Sequence, residues 1–190
     1  MTAANWFVAA PVRGLSLRAL PPAPPNVRVL HDDDLHLTIA FLGPCGEARA
    51  RAAWATLDTL PPATMVSFGP VVPMGAPGAY SALSALLELG RVPMEHAIGA
   101  LRDGLCNAAS ARLDRRPPKA HVTVARPTRR ADASDRAAGL AWGAALDLGT
   151  PRVRLDTLAL YTWSEDRGER LFRPVATRLL PSDEVSPSTP

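Results

Sequence analysis

With 190 residues, 47% of them hydrophobic and 21% charged, the chain has the apolar material for one large core or two small lobes, which excludes a disordered or fibrous class. No apolar run approaches the ~20 residues that span a bilayer, and the N-terminus lacks a charged-then-apolar leader pattern, so the expectation is a soluble, cytoplasmic, monomeric protein with no membrane partner. The net charge is +3, and every basic residue except Lys119 is an arginine, whose forked guanidinium suits phosphate; the charge permits an anionic ligand without identifying one.

The run "NWFVAAPV" (5–12) reads as a strand stopped by proline. Five prolines between Pro11 and Pro25 leave room for no more than a turn or two of helix near Ser16 to Leu20. "NVRVL" then reads as extended and "HDDD" as a polar turn. "LHLTIAFLG" (35–43) reads as a strand ended by Gly43 and Pro44. Over 47–60, Ala50, Ala53, Trp54 and Leu57 recur at three- and four-residue spacing, which predicts an amphipathic helix ended by Pro61 and Pro62. "TMVSFGPVV" and "AYSALSALLEL" follow as strands around the turn-rich "PMGAPG", and a second helix is expected from Pro93 through "MEHAIGALRDGLCNAA". A polar loop leads into "AHVTVARP" (120–127), another strand. A short helix is expected within "TRRADASDRAAGLAWGAAL", and "RVRLDTLALYTW" with "RLFRPVATRLL" predicts a hairpin around "EDRG". This order is that of an α+β chain with a coarse internal duplication, not of a regular parallel α/β sheet.

Two of these strands carry polar residues where a core strand should not. Alternation puts Leu37, Ile39 and Phe41 on one face of the first and His36, Thr38 and Ala40 on the other. In the second, Val122 and Val124 oppose His121, Thr123 and Ala125. The pattern His, aliphatic, Thr, aliphatic, Ala thus occurs twice, 85 residues apart. A lone strand histidine is more often a hydrogen-bonded structural residue than a catalyst. Two of only four histidines in the same frame are not explained that way, and a duplication gives their faces a reason to meet across a cleft.

On these residues the chain resembles the two-histidine (2H) phosphoesterases, marked by paired HxTx motifs, and within them the bacterial and archaeal RNA 2',3'-cyclic phosphodiesterases also described as 2'-5' RNA ligases. The resemblance runs from "WFVAAPV" through "LHLTIAFLG" and "AHVTVAR" to "LALYTWSEDRG" and "RLFRPVATRLL". It implies a bilobal α+β fold, two mostly antiparallel sheets flanked by helices around a central cleft, over residues 1–182 as one domain, while the polar, proline-rich composition of the last residues reads as a flexible tail over 183–190. Four features depart from the family pattern: Asn5 and Trp6 where an arginine is usual, a short proline-rich stretch where a helix is usual, Ala120 where a proline commonly precedes the histidine, and Phe172 where a tyrosine is common.

The resemblance further implies hydrolysis of RNA 2',3'-cyclic phosphate ends to 2'-phosphates without metal or cofactor, with His36 as proton donor, His121 as proton acceptor, and Thr38 and Thr123 on the phosphate. The residue pattern itself is symmetric between acid and base. Two imidazoles near pKa 6.5 can be one neutral and one protonated near neutrality, and threonine hydroxyls can donate to phosphate oxygens. Arg126 is a weaker phosphate candidate, because alternation groups it with the valines unless the strand twists at Pro127. His31 reads as an exposed loop residue, His96 as a solvated helix residue, and Asp32, Asp33 and Asp34 as a solvated turn rather than a metal site. Cys45 and Cys106 read as free, partly buried thiols. Trp54, Trp142 and Trp163 read mostly as core, with Phe7, Tyr80 and Trp163 as bases' stacking partners if the cleft exposes them. Competing readings are a cyclic phosphodiesterase acting on a small nucleotide or an ADP-ribose cyclic phosphate, a non-catalytic module binding RNA ends or nucleotides, and a metal hydrolase; ligation is a minor reverse reaction.

Overall fold

The computed structural model describes residues 3–149 and 151–182. The expected tail at 183–190 lies outside them. The described residues form ten strands and three helices: β1 Trp6–Pro11, β2 Val27–Val29, β3 His36–Gly43, α1 Glu47–Ala55, β4 Thr64–Val66, β5 Phe68–Met74, β6 Ala82–Leu87, α2 Arg91–Ala108, β7 His121–Pro127, α3 Ala133–Ala144, β8 Val153–Leu155, β9 Thr157–Trp163 and β10 Phe172–Leu179. A 3-10 turn at Asp32–Asp34 precedes β3.

Among the described residues every strand pairing is antiparallel. One half of the main sheet runs β10-β9-β1-β3 and the other β7-β6-β5, with β2 along the edge of β7. The two sheets expected from the sequence meet at one bridged pair, Leu37 with Val122, so hydrogen bonding joins them into one 8-stranded sheet. A small β4-β8 sheet lies apart from it.

The apolar faces of these elements supply the core. β1 sits between β3 and β9 and is buried along nearly its whole length, Trp6 to Ala10. On α2 the buried residues Met94, Ala97, Ile98, Leu105 and Cys106 follow helical spacing and cover β3, with α1 against α2 and β1 and α3 against β5. Full burial of a Leu, Ile or Met side chain stabilises by about 1.5–3 kcal/mol, so this stripe anchors the helix. Gly90 opens α2 with φ +74, and a Cβ there would lie 2.5 Å from the Met65 carbonyl oxygen, so the entry demands glycine twice over. No helix among the described residues is long and apolar enough to cross a membrane.

Three boundaries differ from the sequence reading. The first helix ends at Ala55, well before Pro61, because the Thr56 hydroxyl bonds back to the Ala53 carbonyl and closes the last turn. The run 64–72 divides at Ser67, whose backbone and hydroxyl engage Glu88 and Leu89, so that β4 pairs with β8 and β5 with β6. The run 152–163 likewise divides at Asp156, β8 pairing with β4 and β9 with β1 and β10. The α2 helix starts at Arg91, with Pro93 in its first turn.

Candidate active site

The two motif strands face each other at the seam. In an antiparallel pair, residues flanking a bridge oppose each other in turn, so the Leu37–Val122 bridge sets His36 opposite Thr123 and Thr38 opposite His121. The strands part on either side of this single pair. The result is a pseudo-two-fold set of two imidazoles and two hydroxyls at the join of the halves. His36 and His121 lie near enough for the charge of His121 to act on His36.

Each imidazole is held by the same local bond. His36 Nδ1 lies 2.6 Å from the Asp34 carbonyl oxygen, and His121 Nδ1 lies 2.7 Å from that of Lys119. A carbonyl only accepts, so each Nδ1 donates its N–H and each Nε2 is left with the lone pair when the ring is neutral. Thr123 Oγ1 shares a hydrogen bond with the fully buried Ser84 hydroxyl at 3.2 Å, which fixes its rotamer.

Both motif strands carry an irregularity at the same frame position. Val8 and Ala9 pair with Ala40 and Thr38, leaving Ile39 over; Leu83 and Ser84 pair with Ala125 and Thr123, leaving Val124 over. A residue inserted into one strand shifts the alternation beyond it. Ile39 and Ala40 are consequently both buried, as are Val124 and Ala125, and the next side chain of each strand turns to the open face. This corrects two expectations. Phe41, grouped with the core residues by alternation, is 55% exposed, and Arg126, grouped with the valines, is exposed and acts electrostatically on both histidines.

The first half-sheet curls so that its diagonal corners meet. Asp34, 2% exposed, accepts hydrogen bonds from the Leu171 and Phe172 amides at 2.8 and 3.1 Å and approaches Arg170 Nε at 3.5 Å. The three carboxylates of the turn therefore do not form a solvated cluster: Asp32 receives the Ser16 hydroxyl and Leu17 amide, Asp33 takes Arg170, and Asp34 is a buried clamp. Among the described residues no group of His, Cys, Asp and Glu is placed to hold a metal ion. The clamp packs Phe172 edge-on to His36, with ring centroids 5.4 Å apart, while Phe7 at 4.8 Å and Tyr161 at 5.8 Å cover the imidazole from the sheet.

Loss of water within this aromatic box, helped by the charges of Arg126 and His121, pulls the His36 pKa down to about 4 despite its carbonyl partner. His121, half-buried, is lowered as well, chiefly by burial, with Lys119, Arg126 and Arg116 adding positive charge around it. His96 is exposed, as expected, and His31 half-buried, its Nδ1 accepting the Asp33 amide. Cys45 and Cys106 are free thiols. Of the aromatics considered as stacking platforms, Phe7 and Tyr80 are buried, Tyr80 donating to the Arg136 carbonyl behind α3. Trp163 is half-exposed, with Arg167 lying 4.2 Å above its ring. Alternation places Phe41 on the wrong face because it is blind to a bulge.

The curled half-sheets and the single-bridge seam between them form an α+β fold that solved phosphoesterase structures share. Among solved structures, a phosphoesterase crystal structure superposes with TM-score 0.70 at 17% identity, covering 95% of this chain and 99% of the other. E. coli LigT bound to NADP+ gives 0.65 at 18% identity, covering 96% and 100%, and LigT bound to 3'-AMP gives 0.66 at 17%, covering 93% and 97%. No family model and no curated protein matches the sequence.

Proposed function

We propose that the protein is a 2H phosphoesterase that hydrolyses 2',3'-cyclic phosphates at RNA ends to 2'-phosphates. The observation that carries this reading is the mirrored pair of imidazoles, each with Nδ1 tied to a carbonyl two residues back and Nε2 left for proton transfer. Water loses a proton to His121 Nε2 as its oxygen bonds to phosphorus. The bond from phosphorus to O3' breaks, and O3' takes the proton of His36 Nε2. A 2'-phosphomonoester and a free 3'-hydroxyl result, and solvent returns the proton from His121 to His36. The assignment of acid to His36 and base to His121 follows the family resemblance. Thr38 and Thr123 donate to the non-bridging oxygens, where negative charge grows in the transition state, and Arg126 adds a positive field. Every step uses a side chain already in the cleft, so the proposed reaction needs neither metal nor cofactor.

The lowered His36 pKa is set by burial and by the charges of Arg126 and His121. A cyclic phosphodiester brings one negative charge between the imidazoles and raises both, which makes protonated His36 accessible on binding. The fold match to LigT structures holding 3'-AMP and NADP+ supports a nucleotide-like ligand.

Replacing His36 or His121 with alanine tests the roles. Each variant should keep the wild-type melting profile to within a few degrees and lose about 10²- to 10⁴-fold in kcat. Near-full turnover in either folded variant contradicts the assignment. Binding of nucleotide with no product from wild type would leave a binding module instead.

A further inference from the structure

Arg28 on β2 and Arg126 on β7 are direct cross-strand partners, so their side chains leave the same face of the sheet side by side. Arg28 also reaches across to the β9–β10 loop of the other half, donating to the carbonyl oxygens of Arg167 at 3.0 Å and Gly168 at 3.1 Å. The Arg167 side chain, stacked on Trp163, lies near enough for its charge to act on Arg126. Like charges directly opposite each other in a sheet are destabilising. Here three guanidiniums converge, and among the described residues none of them forms an ion pair, although Glu165, Asp166 and Glu169 lie in the same loop. The Asp166 carboxylate is turned instead to the Gly168 amide, at 2.8 Å. An arrangement that fold stability disfavours is accounted for by an anion.

We infer that Arg28, Arg126 and Arg167 form a second phosphate subsite beside the catalytic pair, which takes the phosphate on the 5' side of the nucleoside whose cyclic ester lies between the histidines. The inference rests on the proposed function and narrows its substrate class to ends that carry a 5' phosphate group, either the internal phosphodiester of an RNA or the phosphate of a small nucleotide. Arg126 contributes from the catalytic end, since its charge acts on both histidines, and Arg167 acts in turn on Arg126. Forked guanidiniums match phosphate oxygens in pairs, which is the chemistry such a subsite requires.

The test compares kcat/KM for adenosine 2',3'-cyclic phosphate, its 5'-phosphorylated form and a dinucleotide ending in a cyclic phosphate. In parallel, calorimetry measures binding of adenosine 2'-monophosphate and adenosine 2',5'-bisphosphate. Wild type should favour 5'-phosphorylated substrates and the bisphosphate by about tenfold or more, the scale of one charge-assisted hydrogen bond. In Arg28→Gln and Arg167→Gln that preference should shrink toward unity. The Arg167 change leaves the backbone carbonyls that Arg28 bonds, so it removes charge without unfastening the loop. A dinucleotide preferred over the 5'-phosphorylated monomer points to RNA as the source, and the reverse to a small nucleotide. Equal constants with and without the 5' phosphate, or a preference that survives both substitutions, overturn the subsite. If no substrate turns over while the bisphosphate still binds tighter in an arginine-dependent way, the subsite stands and the hydrolase reading fails.

Discussion

His36 and His121 are held alike by their Nδ1 bonds but differ in their surroundings, and this difference sets how the protein should respond to pH. Burial among Phe7, Tyr161 and Phe172 favours the neutral His36 ring, with its pKa near 4 against 6.5 unfolded. The stabilisation from burying it neutral is therefore complete above about pH 6.5 and is lost as pH falls toward about 4. The proposed reaction needs one proton on the pair, so kcat/KM, which reports the free enzyme, should peak below pH 6.5, with the proton shared between the two sites rather than owned by one. The kcat profile, which reports the complex, should sit at higher pH because the bound phosphate raises both histidines. A pH–rate study in which kcat/KM climbs steadily through pH 7 to 8 would rule this out.

At the scale of elements, the site depends on one clamp and two bulges. Asp34 ties the turn before β3 to the start of β10 and so closes the aromatic box over His36. Asp34→Ala leaves two buried amides without acceptors, and the expected loss is about 2–4 kcal/mol of stability, read by urea unfolding, with reduced kcat from a looser His36. An unchanged unfolding midpoint would show that the corner is held by other contacts. These features also mark where the sequence was readable. The repeated HxTx frame gave the histidines, the threonines and the duplication, because its strands keep their period of two up to the threonine. Phe41 and Arg126 were misplaced because one extra residue after each threonine reverses the faces, and nothing in "TIAF" or "TVAR" marks it. The splits at Ser67 and Asp156 were hidden for a related reason. A strand that changes partners keeps its apolar pattern, while the partner is a long-range choice. Asp34 reads as solvated in the sequence because its partners, Leu171 and Phe172, lie at the diagonally opposite corner of the half-sheet.

For the whole molecule, duplication explains the cleft. Two half-sheets meet at a single bridge, so matching motif strands deliver their imidazoles and hydroxyls to one seam, and the same seam gathers arginines from both halves. The most direct test of this account incubates the purified protein, in excess chelator, with the four nucleoside 2',3'-cyclic monophosphates and a short RNA ending in a cyclic phosphate, and resolves 2'- from 3'-phosphate products. The account predicts a 2'-phosphate formed at an undiminished rate without metal. A 3'-phosphate, a chelator-abolished reaction, or no product from folded protein would contradict it.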